Sequence, residues 1–277
     1  MSPFTTRRGW TPSPLMRASA IVHVGALAGA VARPQIWPWM LSAVVANHLV
    51  LTAAGLWPRS KLLGPNWTSL PAAAAARGEV AITIDDGPEP QITPIVLDLL
   101  DQHTAKATFF CIGERVERYA PLAREIVRRG HAIENHSQHH LSRFSVLGPR
   151  GIANEIERAQ DGIDSVTGQR PCFFRAPAGL RNPFLDPVLA RLDLRLASWT
   201  RRGFDTLNRD AATVLETLTR RLRGGDILLL HDGHAGHTGS GSPLILEVLP
   251  RLLTSLAAVK LTPVTLRSAL PSIPSPS

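Results

Sequence analysis

Between residues 79 and 266, short apolar runs alternate with amphipathic stretches. The runs at 80–84, 107–112, 132–134, 173–175, 194–198, 227–230 and 261–265 have strand length and are rich in β-branched, aromatic or leucine side chains. The stretches at 93–100, 121–129, 152–163, 183–192, 211–222 and 244–256 carry helical spacing, with Pro94 at a first-turn position and Gly130 and Gly224 as terminators. Repeated strand–helix units of this kind predict an α/β domain with a mostly parallel sheet and covering helices.

The first 63 residues follow a different pattern. Segments 15–32 and 36–57 are apolar almost throughout and of membrane-spanning length, with Arg33-Pro34 as the break between them. Trp37, Trp39 and Trp57 lie near the ends of the second segment, where interfacial rings belong. Arg7, Arg8 and Arg17 stand at the start, and Arg59 and Lys61 follow the second segment. If both segments span, the positive-inside rule places the N-terminus and the rest of the chain on the cytoplasmic face of a bacterial-type inner membrane. Two other readings stand beside this one. Segment 15–32 also fits the apolar core of a signal peptide cut after Ala30-Val31-Ala32, which would export the domain. Asn47 and His48 are costly in lipid and suit ordinary packed helices. The expected organisation is an N-terminal segment at 1–63, a Pro- and Ala-rich linker at 64–78, the α/β domain at 79–268 and a Pro/Ser tail at 269–277.

Charge changes this picture little. The formal charge is +8, and only three of the 30 Lys and Arg residues are lysine. Arg124, Arg128, Arg129, Arg220, Arg221 and Arg223 are scattered over predicted helix surfaces without interleaved aromatics, which argues against nucleic acid and leaves phosphate-bearing lipid or glycan open. Cys111 and Cys172 each adjoin phenylalanines in strand runs and read as core thiols, not a disulfide framework.

Candidate chemistry gathers at strand ends. The run at 80–84 leads into Asp85-Asp86-Gly87-Pro88, so two carboxylates emerge where the chain must turn, at the strand end where α/β proteins place their sites. His136 and His140 are spaced i, i+4, which on a helical turn stacks both rings on one face. With an oxygen of Asp86 they make a set of two imidazoles and one carboxylate, suited to zinc, cobalt or nickel. His139 would point away from that face, and His234 and His237, in the Gly-rich segment 233–241, read as rim histidines and not ligands.

Further along come Arg175-Ala176-Pro177-Ala178-Gly179, Asp205 and Leu229-Leu230-His231-Asp232. With these in order, the chain resembles the polysaccharide deacetylase family, carbohydrate esterase family 4 with a NodB homology domain, whose motifs run TFDDGP, HSxxH or HTxxH, RxPYG, DxxDW and LxH. The resemblance spans about 79 to 266 and implies a distorted (β/α)7-type barrel. It also implies a metal-dependent hydrolase that removes an N-acyl group, N-acetyl first, from a sugar of a polysaccharide or of a lipid-linked or phosphorylated glycan. In that scheme Asp86, His136 and His140 hold a divalent metal, zinc first and cobalt or nickel next. Asp85 is the base, Arg175 keeps it ionised, His231 is the acid, Asp205 holds His231 or Arg175, and the backbone N–H of Ala178 faces the oxyanion. The same site would serve a carbohydrate O-acetyl esterase, and a membrane-anchored carbohydrate-binding protein with a degenerate site is the alternative outside catalysis.

Three motifs depart from the family pattern. Ile84 replaces a Phe, Ala178 replaces the Tyr of RxPYG, and the fourth motif reads Trp199-Thr-Arg-Arg-Gly-Phe-Asp-Thr206, with Arg202 where the first Asp belongs and Thr206 in place of the Trp. Arg201 and Arg202 are therefore expected to bind substrate and to favour an anionic acceptor such as a phosphorylated sugar.

Overall fold

The computed structural model describes residues 9–270; Arg7, Arg8 and residues 271–277 of the expected tail lie outside it. Eight strands form one sheet among the described residues: β1 (Glu79–Asp85), β2 (Ala107–Cys111), β3 (Ala132–Asn135), β4 (Phe173–Phe174), β5 (Arg195–Leu196), β6 (Arg201–Arg202), β7 (Ile227–His231) and β8 (Thr262–Pro263). The order is β5-β4-β3-β2-β1-β7-β6, all parallel, with β8 against the start of β1. The sheet curls into an open half-barrel with helices outside, which is the α/β barrel expected. The strand beyond the expected seven is β6, two arginines at the sheet edge that no apolar pattern marks.

Alternation along β1 builds two cores. Ile82 and Ile84 turn outward and pack with Phe109, Leu228 and Leu230 beneath the helices. Ala81 turns inward with Phe110, Phe173, Leu229 and Trp199. Asp85 continues the inward register at the C-terminal mouth of the curl, where its Cα pairs with that of His231 on β7.

Residues 64–78, expected as a linker, belong to the domain. Trp67 bridges to Ala197, and Leu70 and Ala74, at most 5% exposed, complete the inner core. Apolar burial outweighs the Pro- and Ala-rich composition that suggested a flexible connection.

The N-terminal segments form α1 (Pro14–Ala32) and α2 (Trp37–Leu56), joined by the 3-10 turn Pro34–Ile36. Both are long and apolar enough to cross a bilayer. Their polar groups face each other: Asn47 donates to Ser19 Oγ at 2.9 Å, and the Nε2 atoms of His23 and His48 lie 3.3 Å apart. Ile21, Val24, Leu27, Val31, Leu41 and Leu49 point outward, each more than half exposed. Trp37 and Trp39 stand at the turn, and Trp10 and Trp57 at the end that meets the domain.

That meeting point is a tight joint. The Arg181 backbone N–H donates to Gly55 O at 3.2 Å, its guanidinium donates to Ser60 O, and Asn66 donates to the carbonyls of Pro58 and Ser60. Ser13 Oγ donates to Leu62 O at 2.6 Å, and Arg59 donates to Thr200 O at 3.0 Å.

Candidate metal and catalytic site

Asp85 and Asp86 leave the end of β1 in different directions because Asp86 takes φ of 76°, the left-handed region. Asp85 Oδ1 receives the Arg175 Nη1 at 2.6 Å. Arg175 is 1% exposed and lies in the inner core, its guanidinium 4.1 Å from the Phe110 ring centre. It also donates to Thr83 Oγ1 at 2.9 Å, Ser198 O at 2.7 Å and Ala197 O at 3.3 Å. Burial pulls its pKa below the ordinary arginine range, with Asp85 pulling it back up. A buried cation this completely partnered fixes the Asp85 carboxylate in position.

His136 follows β3 directly. Its Nδ1 lies 2.8 Å from the carbonyl oxygen of Arg175, which makes Nδ1 the donor and leaves an Nε2 lone pair turned 3.2 Å from Asp86 Oδ1. His140 Nε2 lies 3.3 Å from the same oxygen, and the two rings are 4.8 Å apart.

The segment that presents these rings is a loop, not the helical turn expected from their spacing. Ser137 and His140 have φ of 66° and 49°. Asn135 Oδ1 accepts from Ser137 N at 2.9 Å, and Ser137 Oγ accepts from His140 N at 3.0 Å. These side chains satisfy backbone donors that a helix would otherwise use. His139 turns away, its Nδ1 2.7 Å from Glu155 Oε1.

Asp86 Oδ1 is buried and accepts no hydrogen bond, although two imidazole nitrogens face it. Burial works to raise the Asp86 pKa, but His136 and His234 outweigh it and hold the carboxyl well below the usual range. Burial lowers His140 to about 4, so it is neutral near pH 7. The three donor atoms lie within 4.8 Å of one another, and three converging lone pairs without a shared proton fit a divalent cation.

Across the mouth, His231 is held twice by the fully buried Asp205: Nδ1 lies 2.9 Å from Oδ1, and the backbone N–H donates to Oδ2 at 2.7 Å. Burial opposes the charged imidazole, yet Asp205 prevails and raises the His231 pKa. Of the two partners open to Asp205, it contacts His231.

A cavity of about 260 Å³ joins these groups and is bounded by Ala178, Trp199, Arg202 and Thr206. Ala178 has φ of 54°, and the next residue, Gly179, has no room for a Cβ between Pro58 and Trp199. Arg202 lies over the rings of Trp199 and Phe204, at 5.4 and 5.1 Å. Arg201, expected beside it at the substrate, is absent from the lining: it pairs with Asp226 at 2.6 Å and donates to the carbonyls of Arg220 and Arg221. Alternation along β6 sends the two neighbours to opposite faces.

Two polar residues near the site went unrecognised in the sequence. Asp232 is fully buried, accepts from Thr93 Oγ1 at 2.5 Å, and is pushed up to about 7 by burial. His234, read as a rim histidine, places Nδ1 2.9 Å from Asp86 Oδ2. The signal available was their adjacency to His231 just beyond a buried strand.

Residues 73–197 match the family model described as polysaccharide deacetylase. A peptidoglycan-N-acetylglucosamine deacetylase of Bacillus cereus is 35% identical over 175 residues, 62% of this chain and 81% of the relative. A chitooligosaccharide deacetylase of Azorhizobium caulinodans is 33% identical, covering 57% of this chain and 75% of the relative. A solved peptidoglycan N-acetylglucosamine deacetylase, in complex with 4-naphthalen-1-yl-N-oxidanyl-benzamide, superposes with a TM-score of 0.66 at 26% identity, over 74% of this chain and 92% of the other.

Proposed function

Because the chain belongs to the polysaccharide deacetylase family, we propose that it hydrolyses the N-acetyl amide of an amino sugar, using a divalent metal held by Asp86, His136 and His140. The observation that carries this reading is Asp86 Oδ1, buried and unpartnered between two imidazoles, beside an Asp85 pinned by Arg175. When bound, such a metal supplies Lewis acidity toward the acyl oxygen and brings water toward a pKa of about 7.

The protein groups divide the proton work. Asp85, with Oδ1 tied to Arg175, leaves Oδ2 facing the metal ligands, 3.8 Å from His136 Nε2, to accept the proton of the attacking water. His231, its pKa raised by Asp205 against the pull of burial, gives a proton to the departing amine. The Ala178 N–H faces the developing oxyanion. Water and the amide thus become a carboxylate and an ammonium, and no covalent enzyme intermediate is required.

Substrate choice rests on the rebuilt wall. Arg202 at the cavity edge favours an anionic or phosphorylated glycan, while Arg201 is already engaged elsewhere. A lipid-linked amino sugar adds a reason for the hairpin: Pro58, just past α2, touches Gly179 on the cavity wall. With α1 and α2 in a bilayer, the cavity opens near its surface. The tie from Ser13 to Leu62 favours a retained α1 over a cleaved leader, and basic residues at the domain end favour the cytoplasmic face.

The test is acetate release from chitooligosaccharides, peptidoglycan fragments and diphosphate-linked N-acetyl sugars, with Zn2+ or Co2+ added. Release by wild type and only a small residual release by Asp85→Asn is expected; no release from any substrate by either protein would favour a carbohydrate-binding role. Faster release from O-acetyl than from N-acetyl sugars would instead make it an esterase.

A further inference from the structure

The run His231-Asp232-Gly233-His234 does more than carry the candidate acid. Four contacts close it around the turn that presents Asp86. The Asp232 N–H donates to Asp85 O at 3.2 Å. The Asp232 carboxylate lies against Gly87 and accepts from Thr93 Oγ1. Gly233 packs onto the Asp86 backbone so closely that any Cβ would collide with the Asp86 carbonyl, so only glycine fits there. His234 then reaches back, with Nδ1 2.9 Å from Asp86 Oδ2.

This last contact divides the Asp86 carboxylate between its two oxygens. Oδ1 faces His136 and His140 with no donor of its own, while Oδ2 is occupied by an imidazole. A carboxylate held in this way turns its free oxygen, Oδ1, toward the two imidazoles and weakens the other as a ligand. Partners that hold a ligand from behind commonly contribute 10- to 100-fold in metal affinity, roughly, by orienting it before the ion arrives. The left-handed backbone of Asp86 adds to the need for such support, since that conformation is unfavourable for a residue with a side chain.

We propose that His234 is a positioning residue for the metal site: through its Nδ1–H it locks Asp86 into one-oxygen coordination, acting through Asp86 and not as a ligand. The proposal rests on the metal reading above and adds to it a residue outside the three ligands. The His140 and His234 rings are 5.9 Å apart and both line the cavity, with the side chain of His234 58% exposed.

Zn2+ and Co2+ are the probes, added to the full-length metal-free protein. In competition with a chromophoric chelator, His234→Ala is expected to bind Zn2+ about 10- to 100-fold more weakly. His234→Asn, whose amide can donate to the same oxygen, recovers most of the loss. If alanine also lowers the melting temperature of the metal-free protein, the asparagine variant decides alone. Wild-type Zn2+ affinity in His234→Ala overturns the proposal. Failure of asparagine to rescue, together with an altered Co2+ d–d absorption, also overturns it, because that marks a lost ligand. Asp86→Asn, measured alongside, separates the two levels. Wild-type Zn2+ affinity there removes the metal reading itself, whereas loss in Asp86→Asn with none in His234→Ala removes only the role of His234.

Discussion

The floor and the wall of the cavity are built on different principles. On the floor, Asp85, Asp86, Arg175 and Asp205 are all at most 4% exposed and sit at or just beyond strand ends or in the buried network behind them. Arg175 alone ties together β1, the inner core and the segment after β5. On the wall, Ala178, Arg202 and Thr206 come from short turns and a two-residue edge strand, and Phe204, stacked beside Arg202, is 46% exposed. Strand ends fix atoms to within a hydrogen bond, whereas turns can change residue type without disturbing the sheet. The chemistry is therefore held where substitution is costly, and recognition where it is cheap.

The sharpest test of this contrast is on the floor. Asp85→Asn keeps the shape and the Arg175 contact but removes the proposed base, and should lower turnover by roughly 10²- to 10⁴-fold with Zn2+ binding retained; acetate-release kinetics and chelator competition measure both. Arg175→Met leaves a buried carboxylate without its cation and should lower the unfolding free energy by about 3–5 kcal/mol in urea denaturation.

The third test turns on pH. As the proposed acid, His231 can donate only when protonated, and Asp205 is what raises its pKa against burial. Activity that depends on this proton is present below the raised pKa and is lost as pH rises through it. Asp205→Asn removes the raising influence, so the alkaline limb of kcat against pH should move to lower pH; an unmoved limb would separate Asp205 from proton donation.

The smallest expected effects come from the wall, and they split two neighbours. Arg202→Ala should raise KM for phosphorylated or lipid-linked substrates by about tenfold, with neutral chitooligosaccharides little affected. Arg201→Ala should leave both KM values unchanged, because its guanidinium is engaged with Asp226 and does not line the cavity, and should instead lower stability by stripping the buried Asp226 of its partner. Equal effects from both would break the distinction between the arginine on the wall and the neighbour turned away from it.

How far the sequence could be read follows the same division. Long apolar runs with polar punctuation marked β1, β2 and β7, and with them Asp85, Asp86 and His231, because burial on both faces of a parallel strand leaves a continuous apolar signature. The spacing of His136 and His140 was compatible with a helix. What ruled the helix out, Asn135 and Ser137 bonding to neighbouring backbone, lay in side-chain competition that periodicity does not record. Residues 64–78 looked like a linker by composition, yet Trp67, Leu70 and Ala74 find a core that only the curled sheet creates. Arg201 and Arg202 read alike as charges; only the pleat, and Asp226 25 positions away in sequence, separates them. His234 was hidden in a glycine-rich stretch whose apparent looseness is in part the close fit of Gly233 against Asp86.

The joint between α2 and the domain has a consequence for how substrate is found. Arg181 grips both Gly55 and Ser60, so the cavity has a fixed height and bearing relative to a helix of 20 residues, and it does not swing on a tether. A helix of that length covers about 30 Å, the thickness of a hydrocarbon layer. Were the hairpin embedded and the sugar lipid-linked, as proposed, the enzyme would search a surface and not a volume: its encounter rate would follow the number of sugars per unit area of one leaflet, and dilution of the surrounding solution would leave it unchanged.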